Sequence, residues 1–173
     1  QDGRYFNRFY FVRPDGATVH YDKRHLFTYG GEHKEYTGGD RRVIAEYKGW
    51  RILLQVCYDL RFPVWSRNRD DYDMILYVAS WPTPRVEAWS ALLKARAIEN
   101  VCYVAGVNRV GDDPNCNYCG GTVLLDFLGK PLADAGTGGQ PATLPAEADK
   151  ISLTTFREKF PALQDADPFT LNI

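Results

Sequence analysis

The chain has 173 residues, of which 45% are hydrophobic and 14% aromatic, enough apolar material for the core of one domain and too much for a disordered segment. Its formal net charge is -1, with basic and acidic residues interspersed, so it offers no positive field to a nucleic acid or an anionic membrane. Apolar runs such as Met74 to Ala79 fall far short of a membrane span, and the polar start Gln1-Asp2-Gly3-Arg4 does not read as a secretory leader, so the expected location is the cytoplasm.

In chain order, Phe6 to Val12 and Ala17 to Lys23 are aromatic and β-branched runs joined by Pro14-Asp15-Gly16, the pattern of a β-hairpin. Arg41 to Tyr47 and Trp50 to Val56 read as two further strands turning at Lys48-Gly49. A short helix is expected over Pro63 to Arg69. Asp73 to Ala79 and Val101 to Val107 are short, continuous apolar runs of the buried-strand kind. Between them, Val86, Trp89, Leu92, Leu93 and Ile98 recur near helical spacing, which predicts a helix over Val86 to Asn100 with Thr83-Pro84 as cap and first turn. Thr122 to Asp126 and Lys130 to Asp134 suggest a hairpin turning at Gly129, and Thr154 to Phe160 a last helical turn before Pro161. Strands alternating with helices in the middle, between hairpins at both ends, predict one α/β domain built on mixed sheets.

The run Ile52 to Val56 delivers Cys57 to the point where a polar, proline-marked segment, Tyr58-Asp59-Leu60-Arg61-Phe62-Pro63, begins. A nucleophile suits such a place, because a buried strand fixes the backbone and the turn beyond it exposes N–H groups that can receive an oxyanion. The competing reading is a small buried hydrophobe, the usual fate of a free cysteine. Cys102, Cys116 and Cys119 complete the set, and all four are expected as reduced thiols in a domain of this size. Cys116-Asn117-Tyr118-Cys119 has metal or redox spacing but lies in a turn-rich stretch with no second Cys/His pair, so loop cysteines are the expectation and no metal site is assigned.

Tyr21-Asp22-Lys23-Arg24-His25-Leu26-Phe27, then Glu32 ahead of Gly38-Gly39-Asp40, then Gln55 to Pro63, resemble the nitrilase superfamily of carbon–nitrogen hydrolases. Ala95-Arg96-Ala97-Ile98-Glu99-Asn100, Asn108-Arg109-Val110-Gly111 and Phe160 to Asp167 extend the likeness in order over nearly the whole chain. Tyr77-Val78-Ala79-Ser80-Trp81-Pro82 and the C-terminal signature resemble the bacterial ω-amidase branch, whose members hydrolyse the terminal amide of short 2-oxo acids such as 2-oxoglutaramate and 2-oxosuccinamate. The resemblance implies an α-β-β-α sandwich of mixed sheets, cofactor-free chemistry, and a homodimer or larger homo-oligomer with Val86 to Asn100 and the C-terminal tail as interface candidates.

It also implies a Glu-Lys-Cys triad. Cys57 would attack the amide carbon, expel ammonia and form a thioester that water hydrolyses. Lys23 would favour the thiolate and donate to the oxyanion together with the backbone N–H of Tyr58, and Glu32 would orient Lys23 or the substrate. In the family the general base is a glutamate upstream of this lysine. Glu32 is the first glutamate of the chain, so the resemblance implies that Gln1 to Ile173 corresponds to the C-terminal two-thirds or so of the family fold.

Read without the family, Lys23 is a snorkelling edge lysine and Glu32 a solvated loop carboxylate. Asp59 and Arg61 suggest either a local ion pair or contact with substrate, and Trp81 either lines the pocket or caps the core. Arg61, Arg85 and Arg109 are candidates to hold a substrate carboxylate. A Cys-His-acid hydrolase is a rival, disfavoured because His20, His25 and His33 all precede Cys57. A second rival is a relative that binds a metabolite without turning it over.

Overall fold

The structure, a computed structural model, describes residues 3–171. Its strands are β1 (Arg8–Val12), β2 (Thr18–Asp22), β3 (Ile44–Tyr47), β4 (Trp50–Val56), β5 (Met74–Ala79), β6 (Tyr103–Asn108), β7 (Val110–Asp112), β8 (Asn117–Cys119), β9 (Val123–Leu125) and β10 (Pro131–Asp134). Its α-helices are α1 (Pro63–Ser66), α2 (Val86–Glu99) and α3 (Lys150–Lys159). Six strands form one mixed sheet in the order β10-β9-β6-β5-β4-β3, parallel across β4, β5 and β6 and antiparallel at both margins. β1 pairs with β2, and β7 with β8, in separate two-stranded ribbons.

The continuous apolar sequence of β4 follows from its central place, because both faces of that strand are covered. Leu53 joins Ile75, Tyr77 and Val104 under Trp89, Leu93 and Ala97 of α2. Ile52, Leu54 and Val56 point the other way, toward Tyr21 of the β1–β2 hairpin and Trp65 of α1. A Cβ built on Gly106 would stand 2.5 Å from the Leu93 Cδ1, so the absence of a side chain there is what lets α2 lie close to the sheet. The β3–β4 turn places Lys48 (φ 48°) and Gly49 (φ 78°) in the left-handed region, the geometry that matches strand twist in two-residue hairpins. The fold is therefore the expected mixed α/β one, although among the described residues the layer opposite α2 consists of the β1–β2 hairpin and α1, not a second large sheet.

Several elements differ from the sequence reading for physical reasons. The helix from Pro63 stops at Ser66, where Arg67 leaves helical geometry and Asn68 turns inward to bond Asn100 and Tyr72. Residues 83–85 form a 3-10 turn ahead of α2 and not its cap. Ile98, read as core-facing, is half-exposed, and the inward place belongs to Arg96, whose Nη2 donates to the Leu60 carbonyl at 2.6 Å. The last helix starts earlier than expected because Asp149 caps it, accepting from Ile151 N and Ser152 N at 2.8 and 3.2 Å. The stretch holding Cys116 and Cys119 is the β7–β8 ribbon, so Cys119 lies on a strand and not in a loop.

Asp73, at the entry to β5, ties α3 to the sheet. Its buried carboxylate accepts from Arg51 N and Arg51 Nη2 at 3.0 and 2.8 Å and pairs with Lys150 at 3.0 Å and Arg157 at 3.4 Å. Burial alone would raise its pKa, but the bonds from Arg51 and Lys150 outweigh that and hold it at about 2. A carboxyl depressed in the folded state contributes stability above its unfolded pKa near 4, and that contribution is lost as pH falls toward about 2. Replacing Asp73 by Asn should thus cost about 1–2 kcal/mol at pH 6, and urea titrations of parent and variant should converge as the pH is lowered from about 4 to about 2.

Candidate active site

β4 ends at Val56, and Cys57 opens a 3-10 turn running to Arg61. Cys57 has φ of +47°, a left-handed conformation that costs a non-glycine residue on the order of 1 kcal/mol or more. Buried Asp59 holds it there. One Asp59 oxygen accepts from Val56 N at 3.0 Å and from the Tyr21 hydroxyl at 2.8 Å, and the other accepts from His25 N at 2.9 Å and meets His25 Nδ1 at 2.8 Å. The turn carrying the thiol is thereby joined to the end of β2, and Arg96 of α2 secures the same turn through Leu60.

Lys23 follows β2 directly and is 3% exposed, far from the solvated edge position its sequence context suggests. Its Nζ donates to Glu32 Oε2 at 2.6 Å, and the same oxygen accepts from Phe27 N at 2.6 Å. Glu32 Oε1 accepts from Asn7 Nδ2 at 2.9 Å. Gly39 makes the close approach possible, since its N donates to the Lys23 carbonyl at 2.8 Å and any Cβ there would meet the Asp22 carbonyl oxygen at 2.2 Å. Burial would raise the Glu32 pKa, but the bonds from Lys23, Phe27 N and Asn7 prevail and lower it. Glu32 is a fully engaged carboxylate suited to orienting an ammonium and poorly suited to accepting a proton.

Lys23, Glu32, Cys57, Tyr58, Arg61 and Trp81 all line one cavity of about 480 Å³, and Arg85 lines it with them. Trp81 fulfils both of its readings, because it is buried against Trp89, with ring centroids 5.5 Å apart, and also forms cavity wall. Of the two readings for Asp59 and Arg61, the local ion pair does not form. Asp59 is spent on Val56, Tyr21 and His25, while the Arg61 guanidinium lies 5.0 Å from the Trp81 ring centre. Arg109 is engaged elsewhere, over the Tyr118 ring and 3.6 Å from Asp113. None of the three histidines lines the cavity. Another cavity, of about 470 Å³ between Arg157 and the C-terminal stretch, contains no thiol or lysine.

The thiol differs from expectation in its ionisation. Burial pushes the Cys57 pKa up, and Lys23 and the Ser80 carbonyl region pull it down without reversing the shift. Its Sγ lies 3.8 Å from the Ser80 oxygen, as a thiol donor would. The lysine thus offsets part of a desolvation cost. Asn7, Phe27 and Asn108 were missed in the sequence as contributors, whereas Arg85, one of the three candidate arginines, does line the cavity. Asn108 aligns the cavity wall by accepting from Trp81 N at 2.7 Å and donating to the Trp81 and Gly120 carbonyls at 3.0 and 2.6 Å. Its presence in the Asn108-Arg109-Val110-Gly111 signature was the available signal; Asn7 carried none.

A mixed α/β sheet that presents a thiol at a strand end, beside a buried lysine–glutamate pair in one cavity, defines a protein with a cysteine-centred site. The chain belongs to the carbon–nitrogen hydrolase family, whose model matches residues 1–156. It is 57% identical over 166 residues to the omega-amidase YafV of Yersinia enterocolitica, covering 95% of this chain and 64% of that protein. It is 33% identical over 163 residues to the 2-oxoglutaramate amidase of Bacillus subtilis, covering 92% and 62%. The crystal structure of XC1258 from Xanthomonas campestris, a CN-hydrolase superfamily protein with an arsenic adduct in its active site, superposes with a TM-score of 0.90 at 49% identity, covering 96% of this chain and 66% of that one. The chain spans 64% of the length of the omega-amidases it matches.

Two outcomes follow from this geometry. Replacing Lys23 by Gln should slow alkylation of Cys57 at pH 8 by about tenfold, since loss of a neighbouring cation raises the thiol pKa further; peptide mass spectrometry of the labelled site reads the rate. Replacing Asp59 by Asn, which turns one of its acceptor oxygens into a donor, should lower stability by about 1–3 kcal/mol in urea titrations.

Proposed function

We propose that the protein carrying this chain is an amide hydrolase of the ω-amidase type, cleaving the terminal amide of short 2-oxo acid monoamides such as 2-oxoglutaramate or 2-oxosuccinamate. The observation that carries the reading is the buried Lys23–Glu32 pair, at 2.6 Å, in the same cavity wall as the thiol of Cys57. The relatives named as omega-amidase and 2-oxoglutaramate amidase support the substrate class.

Cys57 Sγ adds to the amide carbon, and the carbonyl electrons move onto oxygen, where the Lys23 ammonium and the backbone N–H of Tyr58 receive the charge. Collapse expels ammonia and leaves a thioester; addition of water at the same carbon then releases the acid and restores the thiol. Glu32 keeps Lys23 aimed throughout. Both Glu32 oxygens already accept hydrogen bonds, and the family resemblance implies that the proton leaving the thiol reaches the departing nitrogen through a glutamate upstream of the lysine. A mutant of an amidase from Nesterenkonia sp. AN1, 25% identical with a TM-score of 0.70 over 75% of this chain and 51% of that one, shows covalent addition of the acetamide moiety of fluoroacetamide at its active-site cysteine, which fits a nucleophilic role for Cys57.

A homodimer or larger assembly and a cytoplasmic location belong to the same reading. The apolar side chains exposed on α2 and around α3, Ile98, Ile151 and Phe160, support the first. No described helix is long and apolar enough to cross a membrane.

The full-length protein should release ammonia from 2-oxoglutaramate, and Cys57→Ser should reduce that rate by about a thousandfold or more. Trapping a substrate adduct on Cys57 by acid quench and mass spectrometry would support the thioester route, whereas substrate binding without ammonia release by the parent would replace it with the non-catalytic reading.

A further inference from the structure

The cavity wall carries three cationic side chains, Lys23, Arg61 and Arg85, against one carboxylate, Glu32. Glu32 is committed to Lys23, which leaves the two guanidiniums as an excess of positive charge. They are not equivalent. Arg61 is exposed and lies over Trp81, whereas Arg85 is half-buried, 5.4 Å from the centre of the Phe27 ring.

Among the described residues, Arg85 is the one buried or half-buried arginine whose guanidinium donates to no protein oxygen. The others end on a carboxylate, as Arg42 does on Asp71 at 2.7 Å, or on a carbonyl, as Arg96 does on Leu60 at 2.6 Å. A partly desolvated guanidinium whose N–H groups find no protein oxygen is costly unless something else supplies one.

The root of Arg85 is fixed. Its carbonyl accepts from Trp81 Nε1 at 2.6 Å, its N donates to the Pro82 carbonyl at 3.0 Å, and neighbouring Thr83 bonds the Asn117 carbonyl at 2.9 Å. Its guanidinium is supported by Phe27, whose own N–H is held by the Glu32 oxygen that also holds Lys23. The cation is thereby set in a defined relation to the lysine, and a guanidinium resting on an aromatic ring keeps its N–H edge free for a planar oxyanion.

We infer that Arg85 is the specificity-determining residue of this cavity, the fork that takes the far carboxylate of a short amide whose carbonyl sits at Cys57. The inference rests on the amide-hydrolase reading for its substrate and names the side chain that separates acid-bearing amides from neutral ones. Arg61, exposed at the mouth, adds positive potential without fixing the ligand. Arg109 has no part in it.

Succinamate and butyramide make the test pair, because both present a terminal amide on a short chain and only the first has a far carboxylate. In the full-length protein, Arg85→Gln should lower kcat/KM for succinamate by about 10- to 100-fold, largely through KM, and leave butyramide within about threefold. Arg85→Lys should recover part of the loss, and Arg61→Gln should cost less than about fivefold. An unchanged ratio of the two substrates in Arg85→Gln, an equal loss on both, or a larger loss in Arg61→Gln would overturn the assignment. Protection of Cys57 from iodoacetamide by succinate reads the same subsite without turnover. If the parent hydrolyses neither amide, the amidase reading fails. In that case succinate protection that is lost in Arg85→Gln still supports the carboxylate fork, and protection that is absent or unchanged by the substitution overturns it.

Discussion

The buried carboxylate of Asp59 is the constraint on which the site depends. It accepts from the backbone of its own turn, from the backbone and ring of His25, and from the hydroxyl of Tyr21. These donors come from two separate segments, the β4 exit and the β2 exit, and those segments carry the thiol and the lysine. A carboxylate away from water is tolerable only when its lone pairs are met, so the demand for satisfaction becomes a geometric lock between Cys57 and Lys23. The left-handed backbone at Cys57 persists because this lock over-determines it.

Around that lock the sheet supplies rigidity. β4 and β5 run parallel, with Val56 beside Val78, so the thiol turn and the Ala79-Ser80-Trp81 segment emerge at the same end of the sheet. Ligand sites in such sheets commonly lie outside the carboxyl ends of the strands, and here the cavity wall is drawn from both exits. Helix α2 contributes at a distance, through Arg96 to the thiol turn and through Trp89 against Trp81. Asp73 performs the corresponding task at the opposite end, where it gathers Arg51, Lys150 and Arg157 and holds α3 against the sheet.

The electrostatics divide into two roles that proximity alone would merge. Burial opposes ionisation of the thiol and Lys23 opposes burial, with burial ahead. The Lys23 ammonium is held in place by a carboxylate that three donors keep acidic, and on the proposed reading it would face the negative charge that develops on the amide oxygen. On that reading the arrangement would serve the oxyanion of a reacting carbonyl more than the thiol at rest, a preference for the transition state over the ground state.

The strand order of types, the turn at Lys48-Gly49, the helix from Val86 and the cysteine at a strand end were all legible because each depends on local pattern: periodicity, β-branching, turn residues and an apolar run. The shared use of Lys23, Glu32 and Cys57 was legible only through family likeness, since nothing in their spacing marks a lysine 34 positions before a cysteine as its neighbour. The partners of Asp59, the outward turn of Ile98 with Arg96 in its place, the role of Asn7 and the choice of Arg85 over Arg109 came from the tertiary structure. Each is a question of which segments approach and which polar groups lose water when they do. Local sequence sets conformational preference along the chain, whereas desolvation and hydrogen-bond satisfaction arise between segments distant in sequence, and they exist only once the sheet and its loops are assembled.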